Sequence, residues 1–301
     1  MARRALVLGG GGAVGVAWES GLLAGLAEAG LDLSGADFIL GTSAGSIVGS
    51  QLAMGRDATA LAAPILSEGA AQQGSTPGRL PGAPPPDLSM LMQKMAKVMS
   101  SAEPADAARA ELGAWALQAE TVGEDEFIAR FARSVGDHPE GYWPDRFACT
   151  AVDASDGAFV VWNKESGVDL ARAVASSCSV PGIAPPVTLR GRRYMDGGMR
   201  SPTNADVAKG FDVVFLVAIS AGGPASAAMP MADAFRRRLE WELNEVRQSG
   251  SRIELITPDS ASLEAFGPNM MDFGRRPGAA RAGLAQGRSA AAKLRAAWPS
   301  A

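Results

Sequence analysis

The sequence has few of the side chains that most often carry catalytic or structural chemistry. Its 301 residues include two cysteines, Cys149 and Cys178, and a single histidine, His138. Two cysteines cannot form a disulfide framework, and this composition fits a reducing compartment. The histidine lies in a Pro- and Gly-rich stretch and is expected to be a loop residue. A cysteine-rich secreted scaffold is therefore excluded.

The sequence also lacks long apolar runs and a strong net charge. No uninterrupted apolar run reaches the ~18–20 residues of a membrane-spanning helix. The start, MARRALVLGGGG, has the arginines and apolar residues of a secretory signal, but four successive glycines disfavour its helix. With 47% hydrophobic residues and a net charge of −4, the chain can bury a core and has no basic field for nucleic acid. We expect a cytoplasmic protein without nucleic-acid partners, and peripheral contact with a membrane stays open.

What the chain does have is a regular alternation of short apolar runs and helical segments. Residues 5–8 and 38–40 are typical of buried strands, and each is followed by a helical segment, over residues 15–29 and 43–54. This β-α-β-α opening predicts a parallel sheet covered by helices. Further strands are predicted at residues 147–152, 158–162, 187–189, 193–195, 213–219 and 252–256, and further helices at residues 57–73, 88–101, 104–119, 124–135, 169–177, 231–248 and 278–297.

We interpret the whole chain as a single domain with a helical insertion. The Pro- and Gly-rich stretch at residues 74–87 predicts a linker without regular structure inside that insertion. The expected parts are a single domain over residues 1–301, a core at about residues 4–56 and 143–257, a helical cap at about residues 57–135 and C-terminal helices at residues 259–301.

A run of glycines follows the first predicted strand. Backbone N–H groups in such a loop can surround a phosphate or a developing oxyanion at a helix N-terminus. Gly10-x-Gly12-x-x-Gly15 matches the dinucleotide fingerprint. However, the second strand ends without the acidic residue that would hold a ribose, and Val16 stands where a P-loop would have its lysine. A nucleotide-binding protein stays an alternative.

A serine between two glycines follows the second predicted strand. Gly41-x-Ser43-x-Gly45 is the pattern of a nucleophile elbow, and an apolar strand before it with a helix after it is the context that this motif requires. A serine hydroxyl needs a base to take its proton. His138 is a poor candidate for that base because of its loop setting. Ser43 is therefore the candidate nucleophile, and its base must be sought elsewhere.

An aspartate before two glycines supplies a candidate base. Asp196 precedes Gly197 and Gly198 in a loop after a predicted strand, and its carboxylate could accept the Ser43 proton directly. Such a dyad does not need a histidine. A carboxylate is a weak base, so we expect Asp196 to be desolvated enough to raise its pKa.

These three motifs, in this order, resemble the patatin-like phospholipase family over about residues 4–220. The stretch SSCSVPGIAPPVTLRGRRYMDGG, residues 176–198, is similar to the family's approach to its catalytic aspartate. The resemblance implies a three-layer α/β/α sandwich with a mainly parallel sheet, a Ser43–Asp196 dyad, cleavage of acyl esters of lipids, and no metal or organic cofactor. The family often carries Lys or Arg where Val14 stands here, which leaves the oxyanion hole to backbone donors.

Under this interpretation the backbone N–H groups of Gly10, Gly11, Gly12 and Ala44 are expected to hold the tetrahedral oxyanion. The substrate would be a lipid or another acyl ester, and water would hydrolyse the acyl-serine. Two alternatives remain open besides a nucleotide-binding protein. One is an acyltransferase on the same dyad, and the other is a lipid-binding protein without catalytic activity.

Two further segments raise questions about substrate contact. Leu88, Leu91, Met92, Met95 and Met99 share one face of a predicted helix, which could line a lipid channel, rest on a membrane or pack as an ordinary core helix.

Three arginines precede the candidate base. Arg190, Arg192 and Arg193 could meet an anionic headgroup, although solvated charges at a strand end explain them as well.

Overall fold

Eight strands form one sheet in the computed structural model, which describes residues 2–68, 88–100, 105–136, 138–221 and 232–298. The strands are short and mostly buried, as the continuous apolar runs predict. They are β1 (Arg4–Leu8), β2 (Phe38–Gly41), β3 (Phe147–Asp153), β4 (Phe159–Trp162), β5 (Val187–Leu189), β6 (Arg192–Asp196), β7 (Val213–Val217) and β8 (Arg252–Ile256).

The centre of the sheet is parallel and one end is antiparallel. The strand order is β5-β6-β3-β2-β1-β7-β8, and β4 pairs with β3 in addition. All pairs from β3 through β2, β1 and β7 to β8 are parallel. The β3–β4, β3–β6 and β5–β6 pairs are antiparallel. Strands β3 and β4 form a hairpin, and Gly157 in the connection between them has a positive φ of +72°.

Helices connect most of the strands, and their bounds lie within a few residues of those predicted. They are α1 (Gly12–Glu28), α2 (Ala44–Ala53), α3 (Ala63–Leu66), α4 (Leu88–Ser100), α5 (Ala105–Gln118), α6 (Glu124–Val135), α7 (Leu170–Ser177), α8 (Ala232–Gln248), α9 (Ser260–Phe266) and α10 (Arg276–Arg295).

Helices cover both faces of the sheet, which makes three layers. Alternate residues of β1 point to opposite faces: Leu6 and Leu8 belong to one buried cluster, and Ala5 and Val7 belong to another. Helices α1, α2, α6, α7 and α10 contribute to the first cluster, and α8 contributes to the second. The predicted α/β/α sandwich is therefore confirmed.

The predictions differ from the structure in two places. The helix over residues 260–266 lies in the region expected to hold C-terminal helices, but its own bounds were not predicted, because seven residues give little periodicity. Its N-cap is Asp259, which accepts from the Ser262 N–H at 2.8 Å. The helix predicted over residues 57–73 is reduced to a 3₁₀ turn at Ala58–Ala60 and the short α3. Residues 69–87, including the predicted linker, lie outside the described residues.

Three roles were left open for the apolar face of α4, and the structure supports packing against the rest of the protein. Leu91, Met95 and Val98 are buried in a cluster with Leu112 of α5 and Met195 of β6. The described side chains of α4 therefore form an ordinary core face rather than a channel lining. No helix among the described residues is long and apolar enough to cross a membrane.

Candidate active site

The site lies where β2 and β6 meet end to end along β3. Strand β4 pairs with residues 149–152 of β3, so β2 and β6 must both use the opposite edge. Strand β2 runs parallel to β3 and ends with Gly41 opposite Cys149. Strand β6 runs antiparallel and ends with Asp196 opposite Ala151. Their carboxyl ends therefore point at each other, and this topology brings the elbow and the aspartate together.

Ser43 occupies the sharp turn between β2 and α2. Its φ of 51° and ψ of −115° lie in a region that non-glycine residues rarely adopt, which is typical of a strained nucleophile elbow. The residue is 9% exposed. Gly45, one turn into α2, lies so close to β1 that a Cβ would come within 2.1 Å of the Leu8 carbonyl oxygen. A larger residue there would push the elbow away from the glycine loop.

Three successive residues, beginning with the last residue of α7, hold both candidate catalytic residues. The Ser177 Oγ accepts from the Ser43 N–H at 3.0 Å, and the Cys178 Sγ lies 3.2 Å from the Ser43 carbonyl oxygen and donates to it. The Ser179 carbonyl oxygen accepts from the Asp196 N–H at 2.9 Å. Because strained backbone persists only when its surroundings fix it, we infer that this segment positions the two residues relative to each other.

The Ser43 side chain lies close enough to the Asp196 carboxyl to act on its pKa. Asp196 is 2% exposed, and burial raises its pKa to about 7. Two groups oppose that shift: one is the Ser43 side chain, and the other is the Gly198 N–H, which donates to the Asp196 Oδ1 at 2.6 Å. A carboxylate with a pKa near neutrality is a stronger base than an ordinary one and is still ionised in a good fraction of molecules.

The glycine loop lies against the nucleophile. A Cβ on Gly10 would be 3.4 Å from the Ser43 Cβ. The Gly10 N–H, however, donates to the Pro202 carbonyl oxygen at 2.7 Å, so this predicted oxyanion donor is already engaged. The N–H groups of Gly11, Gly12 and Ala44 make no hydrogen bond to another described residue, and a helix N-terminus leaves such donors free.

The other motif glycines are required by close packing. A Cβ on Gly41 would lie 2.4 Å from the Ser46 Cα, and one on Gly197 would lie 2.1 Å from the Thr150 Oγ1. Gly15 would meet the side chain of Ile219 at 2.9 Å, one turn after the glycine loop. Gly198 supplies the N–H that binds Asp196. These residues keep the elbow, the aspartate turn and the first helix in contact with the sheet.

A cavity of about 170 Å³ opens beside Ser43. Gly12 and Ala44 lie at its base next to the nucleophile, and most of the remaining wall is apolar. The apolar wall consists of Val16, Ile47, Phe127, Phe131, Val180, Ile183, Ala184, Met271 and Phe273. An apolar cavity of about this size holds a group as large as benzene. It therefore has room for part of an acyl chain next to a scissile ester, and a longer chain would extend through the opening.

The C-terminal part of the chain forms one wall of this cavity. The Met270 carbonyl oxygen accepts from the Val14 N–H at 3.0 Å, and a Cβ on Gly12 would lie 2.9 Å from the Met271 Sδ. Helix α10 follows this segment and packs backbone to backbone on α1, where a Cβ on Gly25 would lie 2.2 Å from the Leu284 carbonyl oxygen. The packing of α10 on α1 thus fixes residues 270–273 over the glycine loop.

Some candidate residues lie away from this cavity. The His138 Nδ1 donates to the Pro139 carbonyl oxygen at 3.1 Å, and His138 is not among the described residues that line the cavity. Arg192 pairs with Asp153 and Asp156, and Arg193 binds the Pro186 carbonyl oxygen. Arg190 is likewise absent from the described cavity lining. The described residues contain no cluster of three or more acidic, histidine or cysteine side chains placed to hold a metal ion.

Sequence analysis missed several residues of the site. Ser177 and Cys178 stand inside the stretch that carries the resemblance, but nothing in their spacing shows that they bind the Ser43 backbone. Met271 and Arg276 lie outside the resemblance altogether, and only the packing of α10 brings them to the nucleophile. The amphipathic pattern of α6, with Phe127 and Phe131 on its apolar face, was the one signal that could have suggested a cavity wall.

Comparison with known proteins identifies relatives of the chain. A family model described as Patatin-like phospholipase matches residues 6–209. None of the curated proteins compared with the chain matches it. Among solved structures, VipD from Legionella pneumophila is similar at 13% identity and a TM-score of 0.43, covering 97% of this chain and 67% of that chain. The type III effector protein ExoU is similar at 18% identity and a TM-score of 0.38, covering 95% of this chain and 53% of that chain, so the chain spans about half of its length.

Proposed function

The chain belongs to the patatin-like phospholipase family, and from this premise we propose that it hydrolyses acyl esters of lipids with Ser43 as the nucleophile and Asp196 as the base. One observation carries the proposal. The Ser43 side chain lies beside a buried carboxyl group, that of Asp196, whose pKa is raised to about 7 and on which the serine acts. A serine that lines an apolar cavity and has a carboxyl group of this pKa next to it supports attack on a lipid ester.

In the first step, the Ser43 Oγ attacks the carbonyl carbon of the ester while Asp196 accepts the hydroxyl proton. The carbonyl oxygen becomes an oxyanion, which the N–H groups of Gly11, Gly12 and Ala44 stabilise by hydrogen bonds. In comparable sites, the loss of one such donor lowers the rate by about 10²–10³-fold. The ester C–O bond then breaks, and Asp196 returns its proton to the oxygen of the leaving alcohol.

In the second step, water attacks the acyl-serine. Asp196 accepts a proton from this water, and the second tetrahedral intermediate collapses to a free carboxylic acid. The proton returns to the Ser43 Oγ, so the enzyme is regenerated. The raised pKa of Asp196 matters for both steps, because the same carboxyl group must gain and lose a proton near neutral pH.

Covalent labelling of the serine tests this proposal directly. A fluorophosphonate probe is expected to label the wild-type protein and to leave Ser43→Ala unlabelled. Ser50→Ala is the matched control, since Ser50 lies on the same helix and its hydroxyl donates to the Ile47 carbonyl oxygen at 2.9 Å, away from the elbow. Labelling that persists in Ser43→Ala, or that fails in the wild type, would contradict the proposal.

A panel of acyl esters, assayed by the mass of the products, then identifies the reaction. Release of free fatty acid by the wild type and its loss in Ser43→Ala and Asp196→Asn are expected. Addition of an alcohol acceptor separates hydrolysis from acyl transfer, because transfer would convert the acceptor into an ester at the expense of free acid. Preferential formation of that ester would establish an acyltransferase on the same two residues.

A further inference from the structure

Among the described residues that line the cavity beside Ser43, all the charged side chains are positive. Two of these residues are charged, and both are arginines: Arg130 from α6 and Arg276 from the first turn of α10. The rest of the described lining is apolar or uncharged. An otherwise apolar cavity with two guanidinium groups has the chemistry of a site for an amphiphile with a negatively charged end.

Arg276 is held in a fixed position. Its Nε and Nη2 atoms bind the carboxylate of Glu68 at 2.9 and 2.8 Å, and both side chains are mostly buried, with 16% and 15% of their surface exposed. The guanidinium also lies 5.3 Å from the ring centroid of Phe273. The Nη1 atom makes no hydrogen bond to another described residue. Arg276 is therefore a pre-positioned cation with a donor left for a ligand.

Arg130 is held much more loosely. Its Nη2 lies 2.5 Å from the Glu126 Oε1, one turn earlier on α6, and the Glu126 side chain is 62% exposed. Exposed ion pairs between residues four apart on a helix contribute little to stability. A phosphate or carboxylate can therefore replace Glu126 at small cost, and the planar guanidinium matches such an anion with two parallel hydrogen bonds.

We propose that Arg130 and Arg276 bind the anionic headgroup of the substrate, and that the substrates are acyl esters with a phosphate or carboxylate group near the scissile bond. This inference rests on the proposed function of Ser43. The acyl chain would contact the apolar wall, and the headgroup would contact the two arginines. In the sequence, Arg190, Arg192 and Arg193 were considered for this role beside the alternative of solvated charges at a strand end. Arg192 and Arg193 bind other partners, and none of the three is in the described cavity lining.

Two esters that differ only in a phosphate group test the inference. Dodecanoyl-glycerol phosphate and dodecanoyl-glycerol carry the same acyl ester, so kcat/KM for each isolates the effect of the headgroup. We expect the phosphate ester to be favoured, and Arg130→Gln to lower that preference by about 10- to 100-fold, the effect of losing one charge-assisted hydrogen bond. The ratio of kcat/KM for the two esters is the quantity compared, because a general loss of activity in the variant cancels in that ratio.

Matched variants control for changes in surface charge. Arg133→Gln removes an exposed arginine from the same helix, and Arg281→Gln removes an exposed arginine from α10; neither residue is in the described cavity lining. Both should keep the wild-type preference for the phosphate ester.

Because Arg276→Gln would leave Glu68 unpaired in a mostly buried position, Arg276 is tested in the double variant Glu68→Gln/Arg276→Gln. Equal kcat/KM for the two esters in the wild type would overturn the inference.

A binding experiment with Ser43→Ala separates this inference from the proposed function. Dodecyl phosphate is expected to bind, as measured by calorimetry, whereas the uncharged dodecyl-glycerol and inorganic phosphate should bind at least about 10-fold more weakly. Arg130→Gln should remove the advantage of dodecyl phosphate. If inorganic phosphate binds as tightly, the site belongs to a free anion and the inference fails. If dodecyl phosphate binds as expected but neither ester is hydrolysed, the proposed function fails and the anion site stands.

Discussion

Asp196 and Glu19 are both buried carboxyl groups close to the glycine loop, but their surroundings differ. Asp196 accepts a hydrogen bond from the Gly198 N–H, the nearby Ser43 side chain also lowers its pKa, and burial raises that pKa to about 7. Glu19, on the inner face of α1, is fully buried, and burial raises its pKa well above 4.5. Neither of its carboxyl oxygens makes a hydrogen bond with another described residue.

The backbone N–H of Gly9 lowers the pKa of Glu19, but by less than burial raises it. This N–H donates its hydrogen bond to the Val217 carbonyl oxygen at 3.0 Å. Burial thus raises the pKa of Glu19 and disfavours its charged form, with little to oppose the shift. At Asp196 the Ser43 side chain and the Gly198 N–H return the pKa to the neutral range, where the group can both accept and release a proton. The comparison indicates that partners, rather than burial, make a carboxyl group usable for catalysis.

The largest expected effect comes from Asp196→Asn. Asparagine keeps the shape and a hydrogen-bond acceptor but cannot take the Ser43 proton, so kcat/KM should fall by about 10³-fold or more. Ester hydrolysis measured by released acid provides the assay. Glu19→Gln is the control at the other buried carboxyl and should keep near-wild-type activity. An equal loss in both variants would remove the distinction between the two groups.

The pH profile sharpens the comparison further. Asp196 must be ionised to act as a base, so kcat/KM should rise with pH through a single ionisation near pH 7, by about tenfold per pH unit below it. His138→Ala and Glu19→Gln should both leave the midpoint in place. A midpoint that disappears in His138→Ala would instead identify the histidine as the essential group.

The stability of the fold should change with pH in the direction opposite to kcat/KM: it should fall as the pH rises. A raised pKa means that the unfolded state ionises at a lower pH than the folded state, so the free energy of unfolding falls as the pH rises above the ordinary carboxyl range. Glu19→Leu removes an unpartnered polar group and should increase that free energy by about 1–3 kcal/mol at pH 8. The gain should be smaller at pH 5. Urea unfolding at both pH values measures it, and a loss of stability at pH 8 would show that Glu19 has a stabilising partner.

The smallest effect concerns the pKa of Asp196 itself. Ser43→Ala removes one of the two groups that lower this pKa, so the value should rise above 7 and approach the behaviour of Glu19. The pH dependence of unfolding in Ser43→Ala, compared with that in Ser43→Ala/Asp196→Asn, isolates the titration of Asp196. A pKa that stays at its wild-type value would mean that the Ser43 hydroxyl does not bind the carboxyl group.

The parts of the fold that sequence analysis predicted correctly are those with local patterns. Continuous apolar runs mark β1, β2 and β7, and periodic apolar residues mark α6, because each pattern reflects burial within a single element. The elbow at Ser43 and the turn after Asp196 carry their own glycines for steric reasons. These residues could therefore be chosen before any contact between them was known.

The parts that could not be predicted depend on contacts between distant elements. The hydroxyl of Ser177 and the side chain of Met271 are ordinary in sequence, and only the positions of α7 and α10 make them part of the site. The engagement of the Gly10 N–H by Pro202 also depends on a loop far away in sequence. For α4, the methionine face fitted both a core and a channel, and the packing of Leu91 and Met95 on Met195 decided between them.

The meeting of β2 and β6 along β3 has a consequence for the protein during its synthesis. Ser43 and Asp196 are about 150 residues apart, and the strand that joins them, β3, lies between them in sequence. A nascent chain that ends before β6 contains Ser43 but not Asp196. The contact between the elbow and the aspartate turn therefore depends on strand pairings that are distant in sequence, and such pairings slow folding. Under the proposed mechanism, a chain without β6 has no base for Ser43 and cannot cleave an ester.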